Sequence, residues 1–317
     1  MDFKEFIPTY KASNVKEEFE YRFTIFTPVY NREDTLHRVF SSLNNQTFRN
    51  FELVLINDGS TDRSHEVALE LLKNATFDVN YINNIDNQHK MACYFQAISL
   101  AKGEFLVILD SDDECVENAL FLFDEAYISI PSEKKKLISG VTALCMDASG
   151  NIIGDKFPED QFYSNSFKQE LYYPNEKERW GFTKTEILRN ITINPNMFSR
   201  GLIPEGLIWM FIANQGFNTL YVNKIVRVYY TNTHNRLSIK DHEKNSFGQA
   251  VYSFSVLNWF SRNYFWKQPK IFLRRIYTLL RAAHYLPYKK HDYIRALPNR
   301  KLKIIFIVGW PFKHLLR

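Results

Sequence analysis

The chain is predicted to be an α/β protein. Its core is expected to be a mostly parallel, doubly wound sheet flanked by helices, with a basic helical extension at the C-terminus. Over the first 130 residues four strand-like runs are each followed by a helix-like run, the alternation that builds a parallel sheet with crossover helices. Phe105 to Leu109 is continuously apolar, as befits a central strand covered on both faces. From Lys267 onward 13 Lys and Arg stand against one acidic residue, Asp292, in a stretch that reads as helices. The expected division is residues 1–240 for the sheet domain and 241–317 for the basic helical region.

Residues 1–20 are polar and mixed, a lead-in segment. Arg22 to Thr27 alternates and is β-rich, so it reads as the first strand, with Pro28 expected to stop it. Leu36, Val39, Phe40 and Leu43 then recur at helical spacing, and Asn31 or Asp34 is expected to cap that helix. Phe51 to Ile56 is a second buried strand, closed by the turn cluster Asn57-Asp-Gly-Ser-Thr-Asp62, and a helix follows through about Leu72. Val79 to Ile82 is a third strand, 83–90 a polar loop, and 91–101 a helix. The strand ending at Leu109 comes next, then a helix over about 116–128 and a strand over 137–145. The stretch 147–196, rich in Asn, Pro, Tyr and Phe, is expected to form loops and short strands. Leu202 opens an apolar helix, and Asn218 to Tyr230 is strongly β-like.

The strand at Phe105 ends in Asp110-Ser-Asp-Asp-Glu114. Crowded carboxylates repel one another unless positive charge sits among them. Open α/β sheets bind ligands beyond the carboxyl ends of their strands. A divalent ion carried by a nucleotide diphosphate would supply the charge, because Mg²⁺ or Mn²⁺ takes one or two protein carboxylates and fills its shell with phosphate and water. The bland reading is a turn whose aspartates cap the next helix. Gly-x-Gly-x-x-Gly and the Walker loop are both missing, which argues against a dehydrogenase or a P-loop NTPase.

Forty Lys and Arg against 35 Asp and Glu give a net charge of +5, so the chain before Lys267 is mildly acidic. Three cysteines, Cys93, Cys115 and Cys145, show no metal-ligand spacing and fit a reducing compartment. The N-terminus lacks a signal-peptide pattern, so a cytoplasmic location is expected and the sequons at Asn45, Asn74 and Asn190 are read as unused.

Five motifs in this order resemble the inverting glycosyltransferase family 2: Thr27-Pro-Val-Tyr-Asn-Arg32, Asn57-Asp-Gly-Ser-Thr-Asp62, Asn87-Gln-His-Lys90, Leu109-Asp-Ser-Asp-Asp113 and Ile203-Pro-Glu-Gly206. The resemblance runs from about residue 23 to residue 238. It implies a Rossmann-like GT-A fold and transfer of a sugar from a nucleotide-sugar, a UDP-sugar by analogy, to a glycan or lipid-linked oligosaccharide in bacterial polysaccharide, lipopolysaccharide or capsule assembly. By the same resemblance Thr27, Pro28, Tyr30, Asn31 and Glu33 meet the nucleotide, and Asp58 meets the base. Lys90 faces diphosphate or ribose, with a solvated lysine as its bland alternative. Asp110 and Ser111 belong to the donor site, Asp112 ligates Mn²⁺ or Mg²⁺, and His234 is a further metal or diphosphate ligand, with Arg236 and Ser238 holding its loop. Trp180 and Trp209 are candidate stacking platforms for an acceptor sugar, or core residues.

Inversion requires a base on the opposite side of the sugar from the metal, which excludes the strand-end aspartates; Glu205 is the candidate, with a helix-start carboxylate of no chemistry as its bland alternative. The commoner family pattern there is Glu-Asp; Gly206 takes the aspartate's place. The alternatives are a nucleotidyltransferase, which would carry a Gly-rich basic loop after the first strand, and a catalytically silent nucleotide-sugar-binding scaffold. Ile304 to Phe312 is an apolar run too short to span a bilayer and flanked by Arg300, Lys301, Lys303, Lys313 and Arg317, so peripheral membrane contact through the tail is expected. No nucleic-acid partner is expected.

Overall fold

A computed structural model describes residues 3–13, 17–173, 177–230 and 241–316. In chain order, β1 (Thr9–Tyr10) and β2 (Tyr21–Val29) lead to α1 (Leu36–Asn44), β3 (Phe51–Asp58), α2 (Ser64–Leu72), β4 (Asp78–Asn84), α3 (Lys90–Leu100) and β5 (Gly103–Ile108). Next come β6 (Glu114–Cys115), α4 (Ala119–Ile128), α5 (Ser132–Lys135), β7 (Ile138–Met146), β8 (Gln161–Ser164), α6 (Ser166–Tyr172), β9 (Arg179–Lys184), α7 (Thr185–Arg189) and β10 (Ile191–Thr192). The chain continues through α8 (Gly206–Asn214), β11 (Asn218–Val228), α9 (Ser246–Tyr264), α10 (Pro269–Tyr285), α11 (Lys290–Ala296) and α12 (Arg300–Gly309).

Two units emerge. One takes residues 11–190 and 216–237, the other residues 1–10, 191–215 and 238–317. The first is the sheet unit. Among the described residues its strand order is β4-β3-β2-β5-β9-β7-β11-β6, with β8 added along β11. β2, β3, β4 and β5 are mutually parallel. β9 runs antiparallel to both β5 and β7, which makes β7 and its parallel neighbour β11 point the same way as β5. The result is a GT-A-like mixed sheet with helices packed against it. β9 is one of the short strands expected over 147–196, but it does not lie over the sheet as a cover: its Trp180 and Phe182 are buried and drive it into the middle of the sheet.

The core needs no special pleading. β3 is buried along its whole length, as its apolar run requires. Phe105 stacks on Phe182 at 4.3 Å between ring centroids, and Phe23 meets both at 5.5–5.6 Å. Such pairs add about 0.5–1.5 kcal/mol each beyond burial. Leu36, Val39, Phe40 and Leu43 of α1 and Leu120 and Phe123 of α4 fill the same cluster.

Two local expectations fail for physical reasons. Pro28 does not stop the first strand; it pairs in register with Ile56. The β2–β5 pairing ends at Phe26–Ile108, so β2 is an edge on that side by Pro28, where a missing N–H is tolerated. Neither Asn31 nor Asp34 caps α1. Thr35 holds the cap position without a side-chain cap bond, because its Oγ1 donates instead to the Ser111 carbonyl at 3.0 Å.

The second unit is helical, with α8 against α9 and α9 against α10, and a two-residue ladder joining β1 to β10. Its apolar helix starts at Gly206 rather than Leu202. No helix among the described residues is long and apolar enough to cross a membrane. Cys93, Cys115 and Cys145 are buried free thiols.

Candidate functional site

Parallel strands deliver their following loops to one edge of a sheet. Here the β2–β3 pairing ends at Val29–Asn57, the β3–β4 pairing at Asp58–Asn84, and the β2–β5 pairing at Phe26–Ile108. Tyr30-Asn31, Asp58 and Asp110-Ser-Asp112 therefore emerge together within the sheet unit, Asp58 at the last paired position of its strand and the others one to four residues beyond theirs.

Hydrogen bonds tie these turns together. Asn31 adopts a left-handed conformation at φ 54°. Its backbone N–H donates to Ser60 Oγ at 3.0 Å, and its Oδ1 accepts from the Thr61 N–H at 2.8 Å. Glu33 accepts from the Arg63 N–H at 3.0 Å, which fixes it to the start of α2. Asp58 is almost fully buried and accepts from the Gln88 N–H at 2.9 Å and the Asn84 amide at 3.2 Å. Gly59 (φ +68°) has no substitute, since a Cβ would lie 2.6 Å from the Asn87 nitrogen. Tyr30 is exposed, and Thr27 is buried with an Oγ1 that has no hydrogen-bond partner among the described residues.

Charge is dense at the acidic turn. Lys90, the first residue of α3, forms an ion pair with Asp110. His89 before it sits at φ 70°, ψ 150°, a conformation that costs about 1–3 kcal/mol for a non-glycine residue and recurs at functional sites. Burial pushes the Asp110 carboxyl up, but Lys90, Arg227 and Arg32 outweigh that and hold it below its ordinary value. Asp112 lies 3.8 Å from Arg32, a loose pairing, and its carbonyl accepts from Arg38 at 2.9 Å. Ser111 is buried.

Asp113 points the other way. It is completely buried, with Oδ1 accepting from the Tyr230 N–H at 3.1 Å and Oδ2 at 3.5 Å from Arg227. Burial, only partly offset by Arg227, pushes its carboxyl up to about 7. Arg227 also binds Glu178 at 2.9 Å. Tyr230 packs under Arg38, 3.9 Å from the guanidinium to the ring, and donates its hydroxyl to Glu114 at 3.2 Å.

Asp110, Ser111 and Asp112 offer hard oxygen donors. Among the described residues no three His, Cys, Asp or Glu side chains group to hold a metal unaided. That donor set fits a Mg²⁺- or Mn²⁺-sized cation arriving with its own phosphate ligands, and Asp112 is only loosely paired. His234, Arg236 and Ser238 lie outside the described residues.

Glu205 belongs to the helical unit. It holds the N-cap position of α8, is half-buried, and makes no side-chain cap bond. At Gly206, which follows, a Cβ would sit 3.3 Å from the Tyr252 hydroxyl. Trp180 is a core residue, its indole N–H donating to the Ile108 carbonyl; Trp209, on α8, is half-buried. The sequence reading assigned no role to Arg32, Arg38 or Arg227. Arg227 had a signal: a cation inside a strongly β-like apolar run must find a buried partner.

Residues 24–123 match the family model for Glycosyl transferase family 2. The putative colanic acid biosynthesis glycosyl transferase WcaA of Escherichia coli is 33% identical over 213 residues, 63% of this chain and 72% of that protein. The Campylobacter jejuni GalNAc(5)-diNAcBac-PP-undecaprenol beta-1,3-glucosyltransferase is 22% identical over 66% of this chain and 64% of its own length. The chain spans less than two thirds of the length of several curated relatives, down to 13%. Staphylococcus aureus TarS 1–349, solved with UDP-GlcNAc, superposes with a TM-score of 0.55 at 16% identity, covering 93% of this chain and 87% of that one.

Proposed function

Because the chain belongs to glycosyltransferase family 2, we propose that it moves a sugar from a UDP-sugar to a glycan or lipid-linked oligosaccharide, with inversion, in bacterial surface-polysaccharide assembly. The observation that carries the reading is the convergence of Tyr30-Asn31, Asp58 and Asp110-Asp112 at the carboxyl edge of adjacent parallel strands. The binding of UDP and UDP-GlcNAc by TarS supports UDP as the nucleotide. The undecaprenol-linked acceptor in the name of the Campylobacter enzyme supports a lipid-linked acceptor. Such an acceptor sits at a membrane surface, so the reading includes a cytoplasmic location with peripheral contact through the basic C-terminal helices.

In this mechanism the exposed Tyr30 ring covers the base, with Thr27, Pro28 and Asn31 shaping the turn around it. Asp58 accepts from the base, and Glu33 braces the turn through α2. Lys90 exchanges its bond to Asp110 for diphosphate oxygens, and Asp110 and Ser111 hold the ribose side of the donor. Asp112, and His234 by family resemblance, would hold Mn²⁺ or Mg²⁺. Bound there, the cation would neutralise charge growing on the leaving diphosphate. Glu205 takes the proton from the attacking acceptor hydroxyl.

Asp112→Asn tests the reading. It keeps the shape and removes one charge. UDP release from a UDP-sugar panel with Mn²⁺ is expected to fall roughly 10- to 100-fold, the worth of one contact to a charged group. Circular dichroism should not change. An unchanged rate with the same Mn²⁺ dependence would reduce the acidic turn to a helix cap. No UDP release by the parent protein from any donor would favour a silent scaffold.

A further inference from the structure

Helix α12 is built with the wrong residues facing out. Its inner face is satisfied: Leu302 and Phe306 are fully buried, and Phe306 stacks on Tyr293 at 5.3 Å. A helix at a protein surface normally turns polar residues to water. The outer face of α12 instead carries Ile304 (61% exposed), Ile307 and Val308 (64%), and the 3-10 turn that follows, Trp310–Leu315, adds exposed Phe312 and Leu315 (80%). Trp266, 74% exposed, adjoins the start of α12, where Lys301 Nζ lies 4.3 Å over its ring. On α10, which packs beside α12, the exposed positions Lys270, Leu273, Arg274 and Tyr277 follow helical spacing and again mix basic with apolar side chains. A contiguous exposed apolar patch rimmed by charge marks an interaction surface.

We propose that this outer stripe of α12, with Trp266 and the solvent face of α10, lies flat on an anionic lipid bilayer. The proposal deepens the reading above and rests on it for the acceptor that draws the enzyme there. Charge decides the occupant. Residues 267–317 hold 13 Lys and Arg against Asp292 alone. Two copies meeting through this face would oppose like charge to like charge, which costs affinity. An anionic bilayer takes the apolar side chains below its headgroups and the cations among them. The ten residues of α12 measure about 15 Å, so the helix lies in the interface plane and does not cross.

The full chain, Ile304→Glu/Val308→Glu and Arg300→Glu/Lys301→Glu are sedimented with phosphatidylcholine vesicles, with and without phosphatidylglycerol. The parent is expected to bind the anionic vesicles and to release at high salt. The apolar pair should weaken binding more than about tenfold. The charge pair should weaken it about 25-fold, near fivefold per cation removed. All four side chains are exposed or on the surface stripe, so thermal melts should coincide. UDP release without vesicles should be equal in all three proteins. Its absence in the parent would sink the glycosyltransferase reading and leave the vesicle result standing. Parent protein that ignores anionic vesicles, or variants that bind as it does, would overturn the proposal. So would a dimer in sedimentation velocity that the apolar pair dissolves while vesicle binding persists.

Discussion

Arg227→Met is expected to destabilise the sheet unit by about 3–5 kcal/mol at pH 8, the usual result of removing one member of a buried ion pair. The guanidinium lies 3.5 Å from Asp113 and 2.9 Å from Glu178, and both it and Asp113 are cut off from water. Methionine nearly matches the arginine stem in volume, so the loss is one of charge rather than packing. Asp113 makes the effect depend on pH. Its folded-state pKa, about 7, lies above its value in the unfolded chain. Its protonated form is therefore the one the fold favours, and the stability it contributes is present at low pH and lost as pH rises from about 4 to 7. Without Arg227 the folded pKa climbs further and the loss continues above 7. The loss should be larger near pH 8 than near pH 5, but by no more than about 1.4 kcal/mol, the worth of the single pH unit between the parent's folded pKa and pH 8; near pH 8 the melting point should drop by roughly 6–20 °C. Equal shifts at both pH values would mean that Asp113 does not depend on Arg227 for its charge.

The parallel half of the sheet was legible because each strand from β2 to β5 is an apolar run followed by a helix period, two local signals that agree. β9 was not. Arg179 to Lys184 is six residues long, lies among Asn, Pro and Tyr, and is held by partners 35–79 positions away in sequence. Nothing local announces an antiparallel strand inserted between two parallel ones. The edge-forming turns were legible as clusters of turn residues, and the fold brings Tyr30, Asp58 and Asp110 to one edge.

What periodicity does not carry is the assignment of cations. Arg32 stands in a motif and Arg227 in an apolar run, yet only the fold brings them to Asp112 and Asp113. The same limit explains the misread cap: expected at Asn31 or Asp34, the cap position falls on Thr35, whose hydroxyl donates to the acidic turn instead. Side chains that serve another segment leave no trace in their own neighbourhood.

Glu205→Gln is expected to separate donor binding from transfer. The carboxylate sits at the N-terminal end of α8. It makes no cap bond to its own helix, so the substitution removes no cap; the helix start is held by the Glu205 carbonyl accepting from the Ile208 N–H at 2.9 Å. Glutamine preserves that carbonyl and nearly the same shape, but cannot take a proton. A positioned general base contributes about 10²- to 10⁴-fold, so transfer should fall within that range. UDP-sugar affinity by calorimetry should barely move, because the donor contacts proposed here lie in the sheet unit. No neighbour can rescue the variant. An aspartate at 206, the commoner family residue, would have to displace Tyr252, which Arg275 grips with its guanidinium 4.5 Å from the ring. Asp113 is fully buried against Arg227 and the Tyr230 N–H, which takes it out of contention as a replacement base. Near-normal transfer by Glu205→Gln would therefore sink the assignment and move the search to Glu114 or to the acidic residues between Asp147 and Glu186.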